Sequence, residues 1–460
     1  MGLYYLAFGA CLALVAIGKW IESMKSGSSS LASSAAFKSF QQNYLTIYYM
    51  AMMSDWLQGP YVYALYSSYG FSRRDIAVLF VAGFGSSMFF GTFVGALADR
   101  IGRKRACIWY CIIYIMSCIT KHFKDYSILM VGRILGGIAT SLLFSSFEAW
   151  LVSEHNRRGY DGAWLSSTFS AAVFGNGVVA IVAGVIAEWA AGVMVLTPVS
   201  GSIFMGGFCS PFDLSMIFLG ITWALIAASW GENFGGGHAS EGILSMKALV
   251  DAAQLILRTP AVLYTGMVQS LFEGAMYTFV FEWTPVLTPV DASEKPPYGM
   301  IFSTFMVCCM GGSSVFNLLV GRFPVEQFTV FVMLVAALGL SVPAWSTDSS
   351  MAFYGFLLFE VAVGLYFPAI YTMKSKYVPE QQRAAVYNLF RVPLNAIVLV
   401  VLLNHLSVGV TFAACTLMLG AAALAQQALL GASRNYMPPG SEEEMSEDML
   451  PSLSSGDELV

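Results

Sequence analysis

Charge is the scarcest property of this sequence: 11% of its 460 residues are Asp, Glu, Lys or Arg, and histidine occurs four times. A soluble domain carries roughly 25% charged residues, so a water-facing globular fold is excluded. A basic nucleic-acid face is absent too, and much of the net charge of −5 comes from acids in one tail, Glu442 to Glu458. No G-x-x-x-x-G-K-[ST] phosphate loop occurs, which argues against ATP-driven pumping. His122, His155, His238 and His405 have no nucleophile or acid arranged around them. The chain therefore reads as a non-enzyme that needs no cofactor. Seven of the eight cysteines lie within or at the edge of apolar stretches, leaving Cys209 without a disulfide partner outside them. The pairs Cys107/Cys111 and Cys308/Cys309 lack His or carboxylate neighbours at zinc spacing, so no metal site is expected. No N-x-[ST] sequon marks a glycosylated loop.

What is present is apolar surface: 57% of the residues, with a mean hydropathy of +0.67. About 20 apolar residues cross a hydrocarbon core of about 30 Å as a helix. Spans of that kind run over 2–20, 42–66, 76–97, 106–121, 127–148, 166–189 and 212–229. After a polar stretch come 261–283, 298–320, 327–345, 351–373, 383–404 and 406–430. The first span lacks the basic start and cleavage site of a signal peptide and is read as an uncleaved helix. Setting it aside leaves six plus six, and the expected division is an N-terminal helix and linker (1–41), a first bundle (42–229), a cytoplasmic middle loop (230–260), a second bundle (261–430) and a disordered acidic tail (431–460).

Lys and Arg fix the expected orientation. Of the 23, sixteen fall in connections on one side, five (Arg73, Arg74, Lys121, Lys124, Lys295) on the other, and Arg133 and Arg391 lie inside spans. The middle loop and C-terminus are thus expected in the cytoplasm, and the extra first span puts the N-terminus outside.

Gly95-Ala96-Leu97-Ala98-Asp99-Arg100-Ile101-Gly102-Arg103-Lys104-Arg105 is a tight basic turn between the second and third helices of the first half. Gly95 permits close packing, Asp99 can cap or pair, and Gly102 permits a turn that aims Arg103 and Lys104 at neighbouring helix ends. The run resembles the signature loop G-x-x-x-D-R-x-G-R-[KR] of the major facilitator superfamily. The resemblance implies an all-α membrane protein with the major facilitator fold, two six-helix bundles plus an extra N-terminal transmembrane helix, and a latch that holds the halves together in one access state.

Ionisable residues inside a bilayer are costly and are functional candidates by default. Counting helices from the span at 42, Asp55 is on the first, Arg133 on the fourth, Glu273 on the seventh, Glu360 on the tenth and Arg391 on the eleventh. In the superfamily that the chain resembles, the first, fourth, seventh and tenth helices line the central cavity, which makes these five residues the candidate substrate-binding or coupling site. The competing reading makes Asp55–Arg133 and Glu360–Arg391 structural ion pairs, and leaves Glu148 and Glu282 to motif-loop arginines or water. A weak internal repeat aligns Asp55 with Glu273, Arg133-x-x-x-Gly137 with Glu360-x-x-x-Gly364, and the Gly/Ser run at 83–87 with that at 311–314. Those runs are expected to serve close helix packing, the alternative being that their hydroxyls and backbone groups face an oxyanion. Tyr61, Tyr63, Tyr66 and Tyr69 are expected to anchor a helix end at the membrane interface.

More specific runs are Ser54-Asp55-Trp56-Leu57-Gln58-Gly59-Pro60-Tyr61, Phe147-Glu148-Ala149-Trp150, Trp230-Gly231-Glu232-Asn233, Trp283-Thr284-Pro285-Val286-Leu287, Gly364-Leu365-Tyr366-Phe367-Pro368 and Phe390-Arg391-Val392-Pro393-Leu394. They resemble the eukaryotic molybdate-anion transporter family over roughly residues 40–405. The resemblance implies uptake of molybdate across the plasma membrane by a multi-pass secondary transporter. Its partners would be the oxyanion and the lipid bilayer, with no nucleic acid and no required protein partner. Another small anion such as sulfate, or a non-transporting nutrient sensor, is the alternative. Asp55, Glu273 and Glu360, if all ionised, would repel a dianion despite two arginines. Burial favours the neutral carboxyl form, so Glu273 or Glu360 is expected to be protonated when the anion binds near Arg133 or Arg391, which would couple transport to protons.

Overall fold

The structure is a computed structural model that describes residues 2–25, 34–235, 246–288, 295–404 and 406–434. Its helices are α1 (Gly2–Lys25), α2 (Ala35–Trp56), α3 (Val62–Ser68), α4 (Arg73–Ile101), α5 (Arg103–Thr120), α6 (Tyr126–Arg157), α7 (Gly162–Val193), α8 (Ser210–Ser229), α9 (Met246–Arg258), α10 (Pro260–Val286), α11 (Tyr298–Leu319), α12 (Val325–Trp345), α13 (Ser349–Tyr377), α14 (Arg383–Leu403) and α15 (Val408–Ser433). A hairpin of β1 (Thr197–Ser200) and β2 (Ile203–Met205) joins α7 to α8, and Gly201 takes the positive φ of its turn.

Several helices outrun their apolar spans because polar caps extend them. Ser72 and Asp75 form a reciprocal capping box at the start of α4, and Asp125, Asp161 and Asp348 accept first-turn N–H groups of α6, α7 and α13. The first span of the first bundle is broken instead: α2 stops at Trp56, a 3₁₀ turn covers Gly59–Tyr61, and α3 resumes. Pro60 supplies no N–H there, so the α ladder cannot run through. The polar connection at 230–260 contains α9, which packs on α10 and α14. The tail expected to be disordered lies outside the described residues from 435 onward.

Ten of the described helices are long and apolar enough to cross a membrane. Among the twelve bundle positions, the α2–α3 segment, α5 and α10 fall short, because they carry such residues as Asp55, Arg103 to Arg105, and Gln269, Glu273 and Glu282. Large apolar side chains on the outer faces, such as Val173, Leu417 and Leu424, are more than 70% exposed and present a lipid-compatible belt.

Pairwise packing repeats between the halves. Helix α2 packs on α7 and α8 as α10 packs on α14 and α15; α4 and α5 pack on α6 as α11 and α12 pack on α13. The halves meet through α7 against α11 and α4 against α14, a pseudo-two-fold arrangement. Close approaches recur as well. A Cβ on Gly137 would lie 2.0 Å from Ser86 Oγ, and one on Gly364 would lie 1.9 Å from the Cys309 carbonyl. The small-residue runs thus serve backbone approach. Helix α1 lies against α11, with Tyr4 edge-on to Phe353 and Cys11 Sγ 3.9 Å from Cys308 Sγ.

Candidate functional site

The basic turn closes on its own half. Arg103 Nε is 2.8 Å from Asp99 Oδ1, Arg103 also donates to the Ala149 carbonyl at 3.1 Å, and Lys104 Nζ donates to the Ala227 carbonyl at 3.0 Å. Gly102, at φ +103°, cannot cap α5 with a side chain, and Glu232 does so from a distance in sequence. Its carboxylate accepts the N–H groups of Lys104 (2.8 Å) and Arg105 (3.3 Å). Trp230 stacks on Trp150 with centroids 3.7 Å apart, and Trp150 donates to the Gly231 carbonyl at 2.8 Å. Three of the sequence runs, around Asp99, Trp150 and Glu232, therefore form one knot. Beside it a cavity of about 600 Å³ is lined by Arg103, Ser145, Glu148 and Phe234 among others.

The contacts between the halves lie toward the other end, the one that carries the hairpin. Arg73 pairs with Glu282 and donates to the Leu406 carbonyl at 2.9 Å. Glu188 of α7 accepts the Tyr61 hydroxyl at 2.7 Å and the Gly299 N–H of α11 at 2.9 Å, capping a helix whose own N-cap is Pro297. Ser303 donates to the Ile181 carbonyl at 2.8 Å, while Tyr63 and Phe80 each lie 5.4 Å from Phe281. Glu282 is thus held by Arg73 and not by a motif-loop arginine. The four tyrosines are corrected from interface anchors to core: all are at most 7% exposed, with Tyr61 against Phe208, Tyr63 against Phe281 of α10 and Tyr69 against Phe204 of β2.

Among the first-half charges, Asp55 is half-buried and accepts the Tyr114 hydroxyl at 2.5 Å. Arg133 donates to the Leu79 carbonyl at 3.1 Å and lies 4.8 Å from the centre of the Phe80 ring, in the niche left by Gly83. No ion pair joins Asp55 to Arg133, or Glu360 to Arg391, among the described residues. Glu360, 6% exposed, is turned toward Cys308 and Cys309 of α11.

The second half gathers the charges. Glu273 accepts from Tyr366 at 3.1 Å and from Gln269 at 3.4 Å, and Lys374 and Arg391 both act on its carboxylate. Tyr366 is fixed by stacking on Phe272 at 3.8 Å. Lys374 was assigned from sequence to a cytoplasmic connection. It is instead inside α13, 6% exposed, with Nζ 4.3 Å from the Tyr387 ring centre and 5.1 Å from that of Tyr371. Its signal was the stripe Tyr366, Ile370, Lys374, which continues at helical spacing one residue past the apolar span. Arg391, Glu273 and Glu148 also share Tyr371 as an electrostatic neighbour, so Glu148 faces this group from the first half. Two cations with two carboxylates near them, Glu273 and Glu148, can hold an anion that replaces Glu273 as counter-charge.

The chain is also similar to known proteins. Residues 3–356 match a family model described as sugar transporters, 12 TM. A molybdate-anion transporter of Xenopus tropicalis is 37% identical over 382 residues, covering 81% of this chain and 80% of that one. One from Takifugu rubripes is 34% identical, covering 88% and 90%. Among solved structures, a D-xylose–proton symporter superposes with a TM-score of 0.65 at 13% identity, covering 84% of this chain and 97% of that one. A bacterial homologue of the lysosomal transporter Spinster, inward-facing and unoccupied, gives 0.64 at 13%, covering 89% and 100%.

Proposed function

Since the chain belongs to the molybdate-anion transporter family, built on the major facilitator fold, we propose that it imports molybdate across the plasma membrane by alternating access between residues 42–229 and 261–430. The observation that supports this reading is that Lys374 and Arg391 are both electrostatic neighbours of the Glu273 carboxylate, whose charge a dianion can substitute. A tetrahedral dianion pairs with two cations, while Tyr366, Tyr371 and Tyr387 supply oriented donors and ring faces. The basic end faces the cytoplasm, as the Lys and Arg distribution argues. The hairpin end, sealed by Arg73–Glu282 and by Glu188 on α11, faces outside, so this conformation opens inward. Asp99 and Arg103, here engaged within their own half, are free to take up an inter-half contact when the cytoplasmic side closes.

Proton coupling follows from the same three groups. Glu273 neutralises one of the two cations when the site is empty, and a proton on Glu273 frees both for the incoming anion. Glu360 stands apart from the cations, and Asp55 and Arg133 are committed to Tyr114 and to α4, so Glu273 is the coupling residue.

The test is molybdenum accumulation in cells that lack endogenous uptake, at nanomolar molybdate with excess sulfate, normalised to surface protein. Wild type should accumulate above vector while Arg391→Ala does not. Equal accumulation by wild type and vector would sink the assignment, and full suppression by sulfate would move the substrate to another oxyanion.

A further inference from the structure

A second uncompensated cation lies at the hairpin end, inside the first bundle. Lys121 follows the last residue of α5 and is 2% exposed, and its Nζ has no hydrogen-bond acceptor among the described residues. The ammonium lies 5.6 Å from the centre of the Tyr66 ring. Tyr66 is itself fully buried, and its hydroxyl has no hydrogen-bond partner among the described residues. No acid pairs with it among the described residues, and Asp213 Oδ1 is 2.9 Å from His122 Nε2.

The walls around Lys121 are built. Tyr69 donates to the Lys121 carbonyl at 2.6 Å and touches Cys209 Sγ at 3.3 Å, and His122 Nδ1 is 2.9 Å from the Phe204 carbonyl of β2. The Phe204 ring packs on Tyr69 at 5.2 Å, so the hairpin roofs the group. An ammonium taken out of water costs several kcal/mol unless it is paired. A cation–π contact offsets only part of that.

We propose that Lys121 and Tyr66 hold a small monovalent inorganic anion of chloride's size and charge, at a site separate from the central one. One positive charge is left after His122 and Asp213 are paired, so one negative charge balances the site. A dianion would replace an unpaired cation with an unpaired anion. The Tyr66 hydroxyl donates to the ion.

The test uses the purified full-length chain in detergent, with thermal unfolding followed while chloride replaces gluconate at constant ionic strength. The wild-type midpoint should rise saturably with chloride. Lys121→Met should not respond, and its midpoint should at least equal that of chloride-free wild type. Tyr66→Phe, which removes one oxygen and keeps the packing, should raise the half-saturating chloride about tenfold, the size of one hydrogen bond to a charged group. Lys374→Met should keep the chloride response and lose any stabilisation by molybdate, which separates this site from the transport site. A wild-type midpoint indifferent to chloride, meaning that water alone fills the site, would overturn the proposal. So would a chloride response that survives Lys121→Met or vanishes in Lys374→Met.

Discussion

Replacing Lys374 by methionine is the most direct perturbation of the central site. The side chain is 6% exposed between Tyr371 and Tyr387, and methionine keeps its apolar stem and packing while deleting the ammonium. A charge-assisted hydrogen bond contributes about 1.5–3 kcal/mol, so losing one of two cations should raise the apparent KM for molybdate roughly 10- to 150-fold. A bare Coulomb term between a dianion and one cation at about 4 Å and an effective dielectric of about 20 gives about 8 kcal/mol, an upper bound that lies above that range. Lys374→Arg keeps the charge but is bulkier than the niche between two rings, and should recover part of the affinity. The assay is initial-rate molybdenum uptake over a wide molybdate range, with surface protein quantified in parallel. Adding Glu273→Gln should restore some affinity, because it removes the carboxylate left with a single cation, and the double-mutant cycle should show coupling well above about 0.5 kcal/mol. A Lys374→Met protein at wild-type surface level with wild-type KM would refute the assignment of this lysine to the substrate.

The other predictions concern coupling and stability. Glu273→Gln should make residual uptake independent of external pH, whereas Glu360→Gln, away from the cations, should keep the wild-type pH dependence; the reverse pattern would move coupling to Glu360. His122 is raised to about 10, chiefly by the Asp213 carboxylate, with Cys209 a further contributor. A raised value means its stabilisation is complete below about 6.5 and is lost as pH climbs toward 10. The midpoint gap between wild type and His122→Gln should therefore narrow from pH 6.5 to 10, and a constant gap would contradict the pairing. Gly102→Ala would force a side chain into φ +103° and put its Cβ 2.4 Å from the Glu232 carboxyl carbon. It should cost about 1–3 kcal/mol and lower the melting point, and Glu232→Ala should cost about 0.5–2 kcal/mol by uncapping α5.

Hydropathy was enough to point to the membrane environment and the six-plus-six count with its extra helix, and the family came from the resemblance of its motifs. Those features are written locally, in the length of apolar runs and in contiguous residues such as Gly95 to Arg105. The sequence also marked Glu273 and Arg391, because a charge inside an apolar run stands out. Lys374 was hidden because it sits one residue beyond such a run, and only the continuation of α13 buries it. Glu232 is 128 residues from the Lys104 N–H that it caps, a pairing that no local pattern specifies. The tyrosines of α3 read as interface anchors until the hairpin, α8 and α10 covered them. Which buried charges meet is decided by how helices distant in sequence rotate against one another. That rotation follows from close approaches such as Gly137 on Ser86 and Gly364 on Cys309, and it brings Glu273 to Lys374 while turning Glu360 away.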